Sequence, residues 1–198
     1  QDIAGNKTVA TISSITVDNR SVKTYVTADY AAISPNGDGE FDAQKFTLLP
    51  SLTEGIAHWS FSIIDEKTTK PVKTWTEKDT PSLPKNINWN GTTNEGTLIE
   101  GNFYGELFME YAKGDEVKIA TSSFVSSITP PQLTVRTAPR YFRPDNDGVD
   151  DDLFISLKGS ASVPLKNWSF AINDPQNGKT FWKTSGKAAI TERIIWDG

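Results

Sequence analysis

The sequence predicts an all-β chain built from tandem β-sandwich repeats. Three observations carry this reading. Landmarks recur in the same order about 109 residues apart, and a fixed interval of self-similarity is the mark of a repeat array. Short segments alternate apolar and polar residues, the period of a half-buried strand. Gly, Pro, Asn and Asp break these segments at close spacing, as all-β sandwiches require.

The repeat is clearest in one loop. Ser34-Pro35-Asn36-Gly37-Asp38-Gly39-Glu40-Phe41-Asp42 returns as Arg143-Pro144-Asp145-Asn146-Asp147-Gly148-Val149-Asp150-Asp151, 109 residues on. Trp59-Ser60-Phe61-Ser62-Ile63 returns as Trp168-Ser169-Phe170-Ala171-Ile172 at the same interval. Ile87-Asn88-Trp89-Asn90-Gly91 is echoed by Ile194-Ile195-Trp196-Asp197-Gly198, 107 on. Asn6 to Ser14 resembles Asp115 to Ser123 at a similar offset. A unit of this length falls in the common domain size range. The expected organisation is residues 1–20 as the last strands of a preceding repeat, 21–128 as a complete repeat, and 129–198 as a repeat without its closing strands.

Taken in order, Lys7 to Val17 is rich in Thr, Val, Ile and Ser and reads as a strand. Asp18 to Ser21 is a turn or joint, matched near the second repeat by Thr129-Pro130-Pro131-Gln132, where proline stiffens the chain. Val22 to Ala32 is strand-like, and the Pro-Asn-Gly-Asp-Gly loop follows. Phe46 to Leu49 resumes a strand. Trp59, Phe61 and Ile63 then share one face, with His58, Ser60 and Ser62 on the other. Val72 to Thr76 returns as the second arm of a hairpin. Asn90-Gly91, Asn94-Glu95-Gly96 and Glu100-Gly101-Asn102 are turn signals. Phe103 to Tyr111 and Val117 to Val125 read as closing strands about the turn Lys113 to Glu116. Trp59 and Trp75 are expected in the core. Trp89 and Trp196, beside turns, are expected at least partly exposed.

Composition narrows the function classes. The net charge is −5, whereas nucleic-acid binding needs a basic footprint. No run of 18 apolar residues exists, so no α-helical membrane insertion is expected. With no Cys and one His, thiolate nucleophiles and multi-His zinc sites are excluded, and a Ser-His-Asp triad has only His58 to draw on. Asp65, Glu77 and Asp79 could supply a carboxylate pair for glycoside hydrolysis, but ordinary surface charge explains them. No catalytic residue is assigned and no cofactor is required.

The Asp-rich loops are the one place with ligand chemistry. Hard cations such as Ca²⁺ take six to eight oxygens, often from alternate residues beside a glycine. Asn36, Asp38 and Asp42 in the first loop, and Asp145, Asp147 and Asp151 in the second, have that alternation. Arg143 at the first position cannot ligate, and Lys45 or Phe154 stands where a bidentate Glu would close an EF-hand. An EF-hand is excluded, and a looser calcium loop stays open. The other reading is that these side chains cap turns by bonding nearby backbone. The second loop is the better metal candidate, because its clustered carboxylates repel one another without a cation or Arg143.

The motif order Ser-Pro-Asn-Gly-Asp-Gly-x-x-Asp, Trp-x-Phe-x-Ile-x-Asp and Trp-Asn-Gly, with Gly96, Gly101 and Tyr104 behind it, resembles the immunoglobulin-like domain of the flagellar hook-capping type, which also occurs in bacterial envelope and surface proteins. Gln1 to Asn6 is similar to the Asp-x-Ala-Gly-Asn turn of bacterial immunoglobulin-like repeats. Arg143 and the pair Asn173-Asp174 depart from the pattern. The resemblance implies tandem immunoglobulin-like sandwiches in an extracytoplasmic, non-catalytic structural or spacer module. Its expected partners are neighbouring repeats of the same chain, with head-to-tail self-association through the loose ends. The alternative is an adhesion module that binds glycan or protein through Trp89, Tyr104 or Tyr141.

Overall fold

The computed structural model describes residues 1–14 and 17–198. It is all-β, and no helix occurs among the described residues. Nine strands make the first repeat: β1 (Thr24–Ala28), β2 (Ala32–Ile33), β3 (Gln44–Pro50), β4 (Ile56–Asp65), β5 (Pro71–Thr76), β6 (Asn86–Trp89), β7 (Gly101–Tyr111), β8 (Glu116–Ala120) and β9 (Phe124–Ser126). One sheet runs β1-β3-β6, and the other runs β2-β9-β7-β4-β5 with β8 also paired to β7. All pairings are antiparallel except β2 with β9, where Ala32 and Ile33 lie parallel to Val125 and Ser126.

The core between these sheets follows from the period of two. Phe46 and Leu48 on β3 and Ile87 and Trp89 on β6 meet Trp59, Phe61 and Ile63 on β4. Phe103, Leu107, Met109 and Tyr111 on β7 complete the layer, and every one of these side chains is buried. Burying each large apolar side chain is worth roughly 1.5–3 kcal/mol. Packing is closest at Gly105 on β7, where a Cβ would stand 2.5 Å from Phe61 Cζ and 2.9 Å from Phe46 Cε1. The one fully buried polar side chain of β3 is satisfied. Gln44 accepts from Tyr30 N–H at 2.9 Å and donates to Tyr30 C=O at 2.6 Å, which pins the bend between β1 and β2.

The second set of strands is β10 (Gln132–Ala138), β11 (Leu153–Ser160), β12 (Asn167–Asn173), β13 (Thr180–Lys187) and β14 (Arg193–Trp196). They form a sheet β10-β11-β14 and a hairpin β12-β13, with no strand pairing to the first set. Ile155, Leu157 and Ile194 are buried here, with Trp168, Phe170, Ile172, Trp182 and Trp196 packed on them but half-exposed.

Several expectations need correction. Residues 7–14 and 17 are not a strand, and Val9 and Ile12 are exposed; Ile15 and Thr16 of that expected strand lie outside the described residues. β propensity alone does not make a strand, because the ladder bonds need a partner. Asp2 to Asn6 nonetheless forms the turn of Tyr111 to Asp115 again. Asp2 N–H donates to Asn6 C=O as Tyr111 N–H does to Asp115 C=O, at 2.9 and 2.8 Å. Val22 to Ala32 is split into β1 and β2, and Val117 to Val125 into β8 and β9. The second break comes at Thr121, whose backbone N–H and hydroxyl both bond to Gly105.

Candidate functional site

The two Asp loops share most of the bonds that shape their backbones. Ser34 N–H donates to Phe41 C=O, and Arg143 N–H to Asp150 C=O, each at 2.8 Å. The Asp42 carboxylate receives the N–H groups of Gly37 and Gly39 at 2.7 and 2.8 Å. Asp151 receives those of Asn146 and Gly148, both at 2.8 Å. Asp38 accepts from Glu40 N–H and Asp147 from Val149 N–H, each at 2.8 Å. Each loop has three left-handed residues, Gly37, Gly39 and Phe41 matched by Asn146, Gly148 and Asp150; where the first loop has Gly37 at φ +82° the second has Asn146 at φ +66°, which Asn tolerates better than most.

In the first loop the carboxylates are committed to the turn. Backbone N–H groups of Gly37 and Gly39 hold the Asp42 carboxyl below the usual carboxylate range. Asn36 closes the loop by accepting from Asp38 N–H and donating to the Asp38 carboxylate, both at 3.0 Å. Phe41 rests edge-on against Tyr30, with ring centres 5.1 Å apart. This loop is a capped turn that docks on the sandwich.

The second loop adds charge to that frame. Ligand oxygens of Asp145, Asp147 and Asp151 converge to within 4.8 Å of one another. The exposed Arg143 supplies a counter-charge, with Nε 2.9 Å from Asp145 and Nη2 2.5 Å from Asp147. Asp152 and Asp197 join Asp145 and Asp151 around one hollow beside Pro144. The matching positions in the first repeat are Asn36, Asp42, Ala43 and Asn90, so four carboxylates stand where the first loop has one. Oxygen ligands of this kind suit a hard cation, and Arg143 competes with it. Asp152 belongs to the run of clustered carboxylates visible in the sequence, whereas sequence reasoning missed Asp197. The Trp-Asp-Gly echo was the available signal, since its position against the loop follows from the same pairing as β3 with β6.

The aromatic candidates fare differently. Trp89 was expected to be partly exposed and is 1% exposed. Its ring packs against Phe103 and Phe124, and its indole N–H donates to Thr92 C=O at 2.7 Å. Trp89 is core and cannot stack on a ligand. The turn after it made it look peripheral, yet β6 is paired to β3 up to that residue, Gln44 opposite Trp89. Tyr104 is half-buried on β7. Tyr141 is 78% exposed, with the Arg140 guanidinium 5.6 Å from its ring centre.

No family model matches the chain. No curated protein matches it either. Among solved structures, it is similar to CopC from Methylosinus trichosporium OB3b, at 18% identity and TM-score 0.27 over 43% of this chain and 74% of that one. A tetra-tandem repeat from the extending region of a large adhesion protein matches at 10% identity and TM-score 0.36, over 89% of this chain and 41% of that one. Fibronectin(III)-like modules of Clostridium thermocellum CbhA match at 9% identity and TM-score 0.36, over 88% and 79%. Likenesses this remote carry nothing about activity or partners.

The residues considered for hydrolysis are all engaged in turns or on the surface. Asp65 accepts from Thr68 N–H at 2.7 Å and Asp79 from Thr76 N–H at 2.8 Å. His58 is exposed beside Glu77, 3.2 Å away.

The joint between the repeats is the other built feature. Glu100, just before β7, receives the backbone N–H groups of Ile128 and Thr129 and the Thr129 hydroxyl, which lies 3.1 and 3.0 Å from its two oxygens. The Ile128 and Thr129 amides hold this carboxyl below its usual range. Ser127 and Ser162 face one another across the joint, hydroxyl to hydroxyl, at 2.7 Å.

Proposed function

We propose that the chain is a non-catalytic spacer, in which tandem immunoglobulin-like sandwiches set a distance and direction between other parts of an extracytoplasmic protein. The observation that carries this is the Glu100 clamp. A single carboxylate fixes two successive backbone amides of the linker, and the prolines that follow, Pro130 and Pro131, limit the remaining freedom. A module used only to bind a ligand has no need of a restrained joint. The extracytoplasmic setting rests on the motif resemblance of the two loops and the Trp strands.

Calcium belongs to this reading at the second loop only. The hollow bounded by Asp145, Asp151, Asp152 and Asp197 has the donors, and a bound ion would tie the loop to the end of β14. The first loop has one carboxylate, Asp42, at the matching places, where the second has four.

Small-angle scattering of the whole chain tests the spacer role. The expected profile fits one narrow distribution of shapes, and Glu100→Ala broadens it. Freely hinged repeats in the unsubstituted chain would overturn the reading.

A further inference from the structure

The outer face of the sheet β10-β11-β14 gathers charge of one sign. Ile155, Leu157 and Ile194 turn into the core, so their neighbours along each strand turn outward. Arg136 on β10 and Arg193 on β14 both stand opposite Ser156 on β11. Lys158 lies two residues along β11 and is the diagonal neighbour of both, roughly 7–8 Å away and within reach of long side chains. All three cations are exposed, and among the described residues none of them makes an ion pair. With Ser156 and Phe154 they line one hollow of about 520 Å³, a size that suits a small ligand. The Arg193 guanidinium lies 5.1 Å from the Phe154 ring centre. Glu192 is the one carboxylate in the lining. The fold does not require these charges. The matching positions of the first repeat are Thr27, Leu49 and Asn86, which are also exposed. Strands β7 to β9 there belong to the other sheet and leave this face open.

We propose that this face binds a short glycan bearing carboxylates, an oligomer of uronic acids. Like charges gathered on one sheet face repel one another, and a bound anion offsets that cost. Each guanidinium presents a planar fork that matches a carboxylate, and Lys158 adds a third charge. More than one anionic group is therefore called for, which a chain of sugar acids supplies. The Ser156 hydroxyl lies between the two arginines, and Phe154 offers an apolar surface to a sugar ring. A peptide gains less here. β11 is paired on both sides, so the middle of the face has no free main-chain groups for an added strand, the usual source of affinity in such docking. A nucleic acid would run past three cations onto a chain of net charge −5. This inference does not depend on the spacer role or on calcium.

The test titrates the full chain with a trimer of galacturonic acid, with chelator present so that the second Asp loop takes no part. Saturable binding is expected by calorimetry, weakening as salt is raised, with amide shifts moving at residues 134–136, 154–158 and 193–195. Arg136→Thr and Arg193→Asn should each weaken binding about tenfold or more, as lost charged hydrogen bonds do. Adding Lys158→Leu to both should abolish it. These replacements are the residues that the first repeat carries at the same places, and circular dichroism checks that the fold is kept. Absence of saturable binding would overturn the proposal, as would equal binding by the methyl-esterified trimer or by the triple variant. Tighter binding of hexa-aspartate or of an oligothymidylate would assign the face to a peptide or a nucleic acid and overturn the glycan.

Discussion

Gly91 stands against the ring of Pro35 with no room for a side chain. A Cβ built on Gly91 would lie 2.6 Å from Pro35 Cγ, and its φ is +80°. This contact seats the first Asp loop on the end of β6. Gly91→Ala is therefore expected to destabilise the first repeat by about 1–3 kcal/mol through backbone strain alone, with the proline clash added. Urea unfolding followed by tryptophan fluorescence reads the shift, and an unchanged midpoint would contradict the seating.

Trp89→Ala should act on stability. Losing a buried ring of this size costs about 3–5 kcal/mol, and Thr92 C=O loses its donor as well. The first repeat should melt at a much lower temperature in circular dichroism. A variant that folded as well as the parent but lost a ligand would restore Trp89 as a binding residue.

The Glu100 clamp predicts a pH-dependent joint. Backbone amides of Ile128 and Thr129 depress the folded-state carboxyl below its ordinary value of 4.5. The stabilisation is then fully present above that value and is lost as pH falls through the lower folded value. Scattering at pH 7 and at pH 3 should show the joint loosening on acidification. Glu100→Ala should be loose at both, which separates this carboxylate from general acid unfolding.

Calcium should raise the melting temperature of the second repeat and leave the first unchanged. At a hundredfold excess over the dissociation constant the gain is about 2.7 kcal/mol. Arg143→Ser removes the competing cation and should enlarge the shift. Asp152→Asn with Asp197→Asn should abolish it. Equal melts with calcium and with chelator would leave the second loop, like the first, as a capped turn.

The all-β class was legible because the Trp59-Phe61-Ile63 alternation and the two Asp loops each depend on short stretches of chain. What escaped the sequence depends on distant partners. β6 is four residues long beside turn signals, so nothing local separates Trp89 in the core from a tryptophan at the rim; Phe103 and Phe124 decide it. Residues 7–14 have strand composition but pair with no strand among the described residues. The loops illustrate both sides. Their alternating Asx residues were visible, and so was the competition between turn capping and metal binding. The hollow that distinguishes the second loop needed Asp197 brought in from β14.

The parallel pairing of β2 with β9 has a mechanical consequence. Ala31 and Ile33 accept from Val125 and Ser127, tying the entry of the first repeat to its exit. Tension applied to the two ends drags these strands past one another along their length. The bonds then share the load together and do not unzip singly. In this arrangement resistance to a pull is set by the rate of rupture and not by the equilibrium stability, and a chain with modest thermal stability can still hold under traction.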